Sequence, residues 1–476
     1  MTSKYEQKDC ELIAHLLRRA SFGAGKEAIE ICAENGYSKT VQELLYPSNT
    51  NSMPLDLIRR HHPEQSAGFE SAGTACNWLY NIVTTNDPLT EKIVLFWHNI
   101  FATGYSKVTI GKVLFDQLKM FKLYGMGNFK NLLIKLSQDP AMIHWLDNHD
   151  NHKGAINENY GRELLELFSM GVGNYSEDDI KECSRAFTGW TLQNLEYSKE
   201  LAIRNSIWPY GKISWRYQYN EKDHDNNTKT FLGETGNFNG EDIIEIICKQ
   251  PATANFLSRH LYNFFVADEP PVPQWPYIPP KDPKAIEILS KAYFESNYDI
   301  KHMLNVLFNS NFFKSDNCRY AKIKSPVDMV AGIIRLTKEF EVPKTEILER
   351  NFQMIFMGQE LLNPPSVEGW HQGTEWINTG SLTERLNFAS QQITNISNPG
   401  TKSIIQNIIK ENQEINDPKQ IINHCLEELG YINLSEVTLN VLNEFIYLDN
   451  KSKKTTEKNI MNLLKLIVSA PEFQKV

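Results

Sequence analysis

Apolar residues recur at spacings of three and four along most of this chain, between short Gly, Pro, Asn or Asp breaks, and that period commits the backbone to packed amphipathic helices. The pattern predicts helices over residues 9–20, 25–35, 71–86, 88–101, 110–123, 127–138, 158–169 and 176–189, then over 241–250, 252–266, 283–296, 300–308 and 325–338. Pro88 suits the first turn of its helix, where a missing N–H costs nothing, and Ser176 with Asp179 forms a capping pattern. Between 205 and 240 the period changes. Ile213 to Tyr219 alternates aromatic and polar residues, so a small β-hairpin or extended excursion is expected there. Residues 269–280 form a Pro-rich loop of the kind that makes a stiff surface connector. After residue 396 the chain becomes Ile-, Asn- and Lys-rich, with helical patterns at 401–412, 417–429, 435–448 and 456–469. The expected fold is all-α, a multi-helix body with one β excursion: a main helical domain over 1–396 and a C-terminal helical extension over 397–476.

The helix at 158–169 carries the densest chemistry. At about 100° per residue, Glu158, Arg162, Glu166 and Glu163 share one side, while Leu164, Leu165 and Phe168 share another. Two readings fit this face. It is either solvated, with Glu158–Arg162 and Arg162–Glu166 pairs worth about 0.2–0.5 kcal/mol each, or it faces a cleft in which neighbouring carboxylates hold a metal or split their pKa values for acid/base work.

Four other constellations bear weighing. His98 lies late in the 88–101 helix among Leu95, Phe96 and Phe101, which suits a core histidine or a ligand completed by carboxylates from another helix. The run from His144 to His152 has the composition of a metal cluster but no ligand spacing with a known mechanism. His224-Asp225 with Lys229 sits in an Asn- and Asp-rich loop, a frequent place for function. Asn363-Pro364-Pro365 through Trp376 forces specific backbone shapes, and Trp370 and Trp376, together with Trp190, are candidate walls for a ligand.

Other classes recede. A net charge of −9 and the lack of a long Lys/Arg run argue against nucleic acid as a partner. No apolar run approaches the ~18 residues of a membrane span. Seven cysteines without a C-x-x-C pair indicate neither a disulfide framework nor a zinc ribbon. Met1 to Gln7 leads into an amphipathic helix without a signal-peptide core, which predicts a cytoplasmic protein. There is no G-x-S-x-G, P-loop, H-E-x-x-H or G-x-G-x-x-G followed by a helix.

Asn157-Glu158-Asn159-Tyr160, Arg162-Glu163-Leu164-Leu165-Glu166 and Arg185-Ala186-Phe187-Thr188-Gly189-Trp190 resemble the bacterial domain-of-unknown-function 1800 family. Leu16-Leu17-Arg18-Arg19-Ala20-Ser21-Phe22-Gly23 is similar to the family's opening, and Trp97-His98-Asn99 to its Trp-His helix. His224-Asp225, Lys229 to Gly233, Ser325-Pro326 and Asn363 to Trp370 follow in order, so the resemblance covers roughly residues 10–390. It implies a large, mostly helical protein with no assigned activity, whose relatives often look exported. Gly161 stands where the resemblance implies Ala, and Phe168 where it implies His.

The function expected is a metal-dependent or carboxylate acid/base enzyme. Glu158, Arg162, Glu163, Glu166, His224, Asp225 and Lys229 would carry the chemistry, and His98 with Glu158, Glu163 and Glu166 would hold a divalent metal. The substrate class stays open between a small molecule, a glycan and a peptide. The alternative is a non-catalytic binding or assembly protein in which Arg162 and the glutamates form an ionic network that fixes helix register.

Overall fold

Proline and short polar side chains start the helices. Pro occupies the first turn of the helices Pro88–Ile100, Pro140–Trp145, Pro251–Phe265, Pro283–Glu295, Pro326–Thr337, Pro399–Glu411 and Pro418–Glu428. Its fixed φ is already helical and its missing N–H would be unpaired there in any residue. Reciprocal capping boxes join Ser176 to Asp179, Asn239 to Asp242 and Ser325 to Asp328. The computed structural model describes residues 6–61, 71–193, 215–270, 277–412, 417–449 and 456–476, and these are mainly helical. Residues 1–5 of the amino-terminal reading and 271–276 of the Pro-rich loop lie outside the described residues.

Helix ends depart from expectation where a tertiary contact or glycine intervenes. The helix expected at 176–189 is Glu177–Ala186, because Gly189 turns the chain with φ +80° and lies so close to Asn220 that a Cβ would stand 2.5 Å from its carbonyl oxygen. The β excursion therefore begins at Trp190, not near 205: Trp190–Leu192 pairs antiparallel with Tyr217–Tyr219, and Lys229–Phe231 pairs with Glu234–Gly236. Residues 194–214, which include the first part of the expected excursion, lie outside the described residues. Helices also form at Tyr37–Leu45, Leu55–His61, Glu346–Phe356 and Thr379–Ile393, where the periodic pattern is short or polar and packing supplies most of the stability.

One apolar core runs through the described residues. Trp97 stacks on Phe101 at 4.8 Å and donates its indole N–H to Gly125 O at 2.7 Å. The C-terminal part folds back onto the first two helices, Gln7–Ala20 and Lys26–Asn35: Arg18 donates to Gly430 O at 3.0 Å, and Tyr431 to Glu30 at 2.9 Å. Residues 474–476 then run beside 322–324, where Lys324 N–H donates to Gln474 O at 2.9 Å. The Gln7–Ala20 helix, the 322–324 segment and the C-terminal residues thus meet at one place, and this junction carries the site below. Among the described residues, no helix is long and apolar enough to cross a membrane, and the seven cysteines are free.

Candidate functional site

The glutamate helix, Asn159–Glu166, buries Tyr160, Gly161, Leu164 and Leu165 and leaves its charged side partly open. Gly161 lets it press onto Glu177–Ala186, since a Cβ there would meet Ser184 Oγ at 2.1 Å. That contact explains glycine where the family resemblance implies alanine. Arg162 does not bridge the two neighbours expected from its spacing: it forks onto Glu177 at 2.8 and 3.1 Å, lies 3.7 Å from Glu158, and leaves Glu166 to accept from Tyr175 at 3.0 Å. Glu163 is the distinctive member. Burial first, then Glu166 and Glu368, push its carboxyl up to about 7 against the pull of Arg162.

His98 is fully buried, edge-on to Trp78 at 5.4 Å and beside Trp370 at 5.3 Å, and neither ring nitrogen has a hydrogen-bond partner among the described residues. Burial alone pushes it down to about 3, so it stays neutral. His224 presents Nδ1 to Thr188 O at 2.8 Å, Asp225 accepts from Arg185 at 2.8 Å, and Lys229 caps the carbonyls of Asp225 and Asn227. Each of these bonds closes the loop between the two hairpins. Among the described residues, no hydrogen bond or ion pair links this set to the glutamate helix. Trp190 packs on Phe187 and donates to Asn239 at 2.9 Å, and Phe168 fills the core edge-on to Phe101.

Two other clusters have metal-ligand composition among the described residues, Asp147–His149–Asp150 and Glu411–His424–Glu427. An ammonium already sits on each. Lys107 pairs with Asp147 at 2.6 Å, and Lys26 lies 3.0 Å from Glu411 and 2.8 Å from Glu427.

The densest buried charge lies elsewhere. Arg18 and Arg19 end the first helix, where cations suit its C-terminal dipole, yet both are buried. Lys92 pairs with Asp328 and lies over the Phe22 ring at 4.8 Å, while Lys322 pairs with Asp268 at 2.5 Å. Lys324 and Arg385 follow, joined by a 2.9 Å bond from Arg385 to the Lys324 carbonyl. Five buried cations and the half-buried Lys322 therefore share two carboxylates in a chain whose net charge is −9.

The excess leaves donors without acceptors. Arg19 is 2% exposed and gives one hydrogen bond, Nη2 to Cys318 O at 2.8 Å, while its Nε and Nη1 have no partner among the described residues. Burial pushes its guanidinium down to about 10. Arg18 Nε and both Nε and Nη1 of Arg385 are equally unpartnered.

Arg18, Arg19, Lys92 and Lys322 line a chamber of about 60 Å³, walled on its other side by Trp370 and Trp376. Trp370 is fixed by bonds from its backbone N–H to Asn99 at 2.8 Å and from its indole to Glu360 O at 3.0 Å. Arg18 and Asp328 also border a second, open cleft of about 1080 Å³ that runs between Gly23–Gly25, the Pro326–Thr337 helix and the C-terminal helices. Val476 borders both spaces.

The two tryptophans were singled out in the sequence as ligand walls, and the basic groups were not. A signal for them existed: Arg18 and Arg19 directly follow the apolar Leu16-Leu17 on the side of the helix that faces the core. The chamber also draws on several sequence blocks that carry the family resemblance, Arg18-Arg19, Asn99, Ser325 and Trp370. The chain belongs to the family described as protein of unknown function DUF1800, whose model matches residues 15–475. No curated protein and no solved structure matches it.

Proposed function

We propose that this protein binds a small molecule through an oxyanion, a phosphate, sulfate or carboxylate, seated in the chamber of Arg18, Arg19, Lys92 and Lys322 between Trp370 and Trp376. The single observation that carries the reading is Arg19, buried with two guanidinium donors unpartnered beside a cavity. Leaving charged donors unsatisfied in a low-dielectric site is costly, and an anion that accepts from them removes the cost. The size of the chamber limits what enters it. About 60 Å³ accommodates an oxyanion or the anionic end of a larger ligand, and the open cleft across Arg18 and Asp328 has room for the rest. Forked guanidinium donors match the oxygens of such groups.

Titration calorimetry and thermal unfolding with inorganic phosphate test this. Phosphate at about a hundred times its Kd should stabilise the wild type by about 2.7 kcal/mol. Arg19→Met should weaken binding roughly 10- to 100-fold, as expected for losing hydrogen bonds to a charged group, without lowering the melting temperature of the unliganded protein. No heat and no thermal shift with phosphate, sulfate or acetate on the wild type would overturn the reading.

A second reading places acid/base chemistry on the glutamate helix, and one observation favours it: the Glu163 carboxyl, raised to about 7, is poised to exchange a proton at neutral pH. His98, with two free ring nitrogens, keeps the capacity to ligate a metal.

A further inference from the structure

Lys324 lies on the wall of the large cleft, 8% exposed, with Nζ 3.9 Å from the centroid of the Phe473 ring. Its backbone is pinned on both sides, by Gln474 O accepting its N–H and by Arg385 donating to its carbonyl. The ammonium has no hydrogen bond or ion pair among the described residues. The charges that act on it are Arg18, Arg385 and Lys92, opposed by the Phe473 ring face, which attracts the ammonium, and by Asp328, whose carboxylate is already held by Lys92 and Ser325. Desolvation first and then repulsion from Arg18 favour the neutral amine and push Lys324 down to about 7. A free-base amine fixed on the wall of a ligand-sized cleft is a nucleophile.

We propose that Lys324 condenses with the carbonyl carbon of an aldehyde or ketone bound in the large cleft, the substrate's anionic group lying against Arg18, which borders both the cleft and the chamber. The anionic half of this statement rests on the reading above; the amine half does not. The nitrogen lone pair adds to the carbonyl carbon, the carbonyl oxygen takes up a proton, and the carbinolamine loses that oxygen as water to leave a C=N bond to Lys324. No oxidant or reductant is consumed. The Phe473 ring covers one side of the amine and limits its solvation, while the cleft leaves another open.

Trapping on the folded, full chain tests the step. Glyoxylate with cyanoborohydride delivers hydride to the C=N carbon and leaves a carboxymethyl group on the reacting lysine, located by peptide mass mapping. At pH 7 Lys324 should be modified at least about tenfold faster than exposed lysines, whose pKa near 10.4 keeps them protonated. Its rate should be half-maximal near pH 7, and propanal, which lacks the anion, should label it more slowly. Excess phosphate should slow glyoxylate labelling. Lys324→Arg, which keeps the cation but cannot form an imine, should remove the fast site and leave the melting temperature close to that of the wild type.

Labelling of Lys324 no faster than exposed lysines would overturn the proposal whatever the phosphate calorimetry gives. Equal labelling by propanal would overturn the anionic substrate class while leaving the amine's reactivity in place. Failure of phosphate to bind, with fast labelling intact, would remove the anion site alone.

Discussion

The glutamate helix and the cationic chamber handle charge in opposite ways. On Asn159–Glu166, charges that are neighbours in sequence share one side of a helix, and Arg162 finds Glu177, itself 77% exposed, near water. In and around the chamber, charges from the first helix, the Pro88–Ile100 helix, the 322–324 segment and the Thr379–Ile393 helix are largely buried, with too few carboxylates to balance them. Water screens the first set whatever its arrangement. The second is largely withdrawn from water, and its imbalance is what the proposed anion would relieve. Density of charge along a sequence is thus a weaker guide to a site than uncompensated charge in space.

That contrast can be broken most forcefully at Asp328, the carboxylate that lines the chamber. Asp328→Asn leaves Lys92 buried and unpaired, and should cost about 3–5 kcal/mol, read as a drop in melting temperature. Added phosphate should recover part of the loss. A variant as stable as the wild type would mean that the chamber is hydrated enough to need no anion.

Glu163 sharpens the comparison from the other side, as the one carboxyl of the glutamate helix that burial does perturb. The folded group holds its proton to about pH 7 and an ordinary glutamate only to about 4.5, so the folded state binds the extra proton between these values. Its stabilising contribution is then complete below pH 4.5 and is lost as the pH rises through 7. Glu163→Gln should raise the melting temperature at pH 8 and leave it nearly unchanged at pH 4. The same shift at both pH values would place the carboxylate in water.

The smallest effect is expected at Arg162, 38% exposed in its pair with Glu177. Arg162→Met should leave the melting curve within a degree or so of the wild type, at low and at high salt, as for other surface pairs. A large loss would make the glutamate helix a buried network and erase the distinction.

The helices from Pro88, Pro251, Pro283, Pro326 and Glu457, and the capping box at Ser176, were legible because a local rule fixes each of them. The hairpin start at Trp190 was not, since it depends on Gly189 meeting the distant Asn220. Of the three tryptophans singled out as candidate ligand walls, Trp370 and Trp376 line the chamber and Trp190 packs on Phe187 instead. Of the two partners expected for Arg162, Glu158 lies within ion-pair distance and Glu166 does not, because spacing along one helix identifies neighbours but not the competitor on the next helix, Glu177.

By itself the sequence determined what short-range physics controls: a helical chain with a brief β interruption, the starts of its helices, the side of 158–166 that carries charge and the membership read in its motifs. The chamber was decided by tertiary structure alone. Arg18, Lys92, Lys324 and Arg385 lie hundreds of positions apart at the extremes, and only when Gly430, Gln474 and the first helix come together are their charges taken out of water. Desolvation depends on every atom packed around a group, which no local pattern of residues records, and it is desolvation that makes those six basic side chains a candidate site.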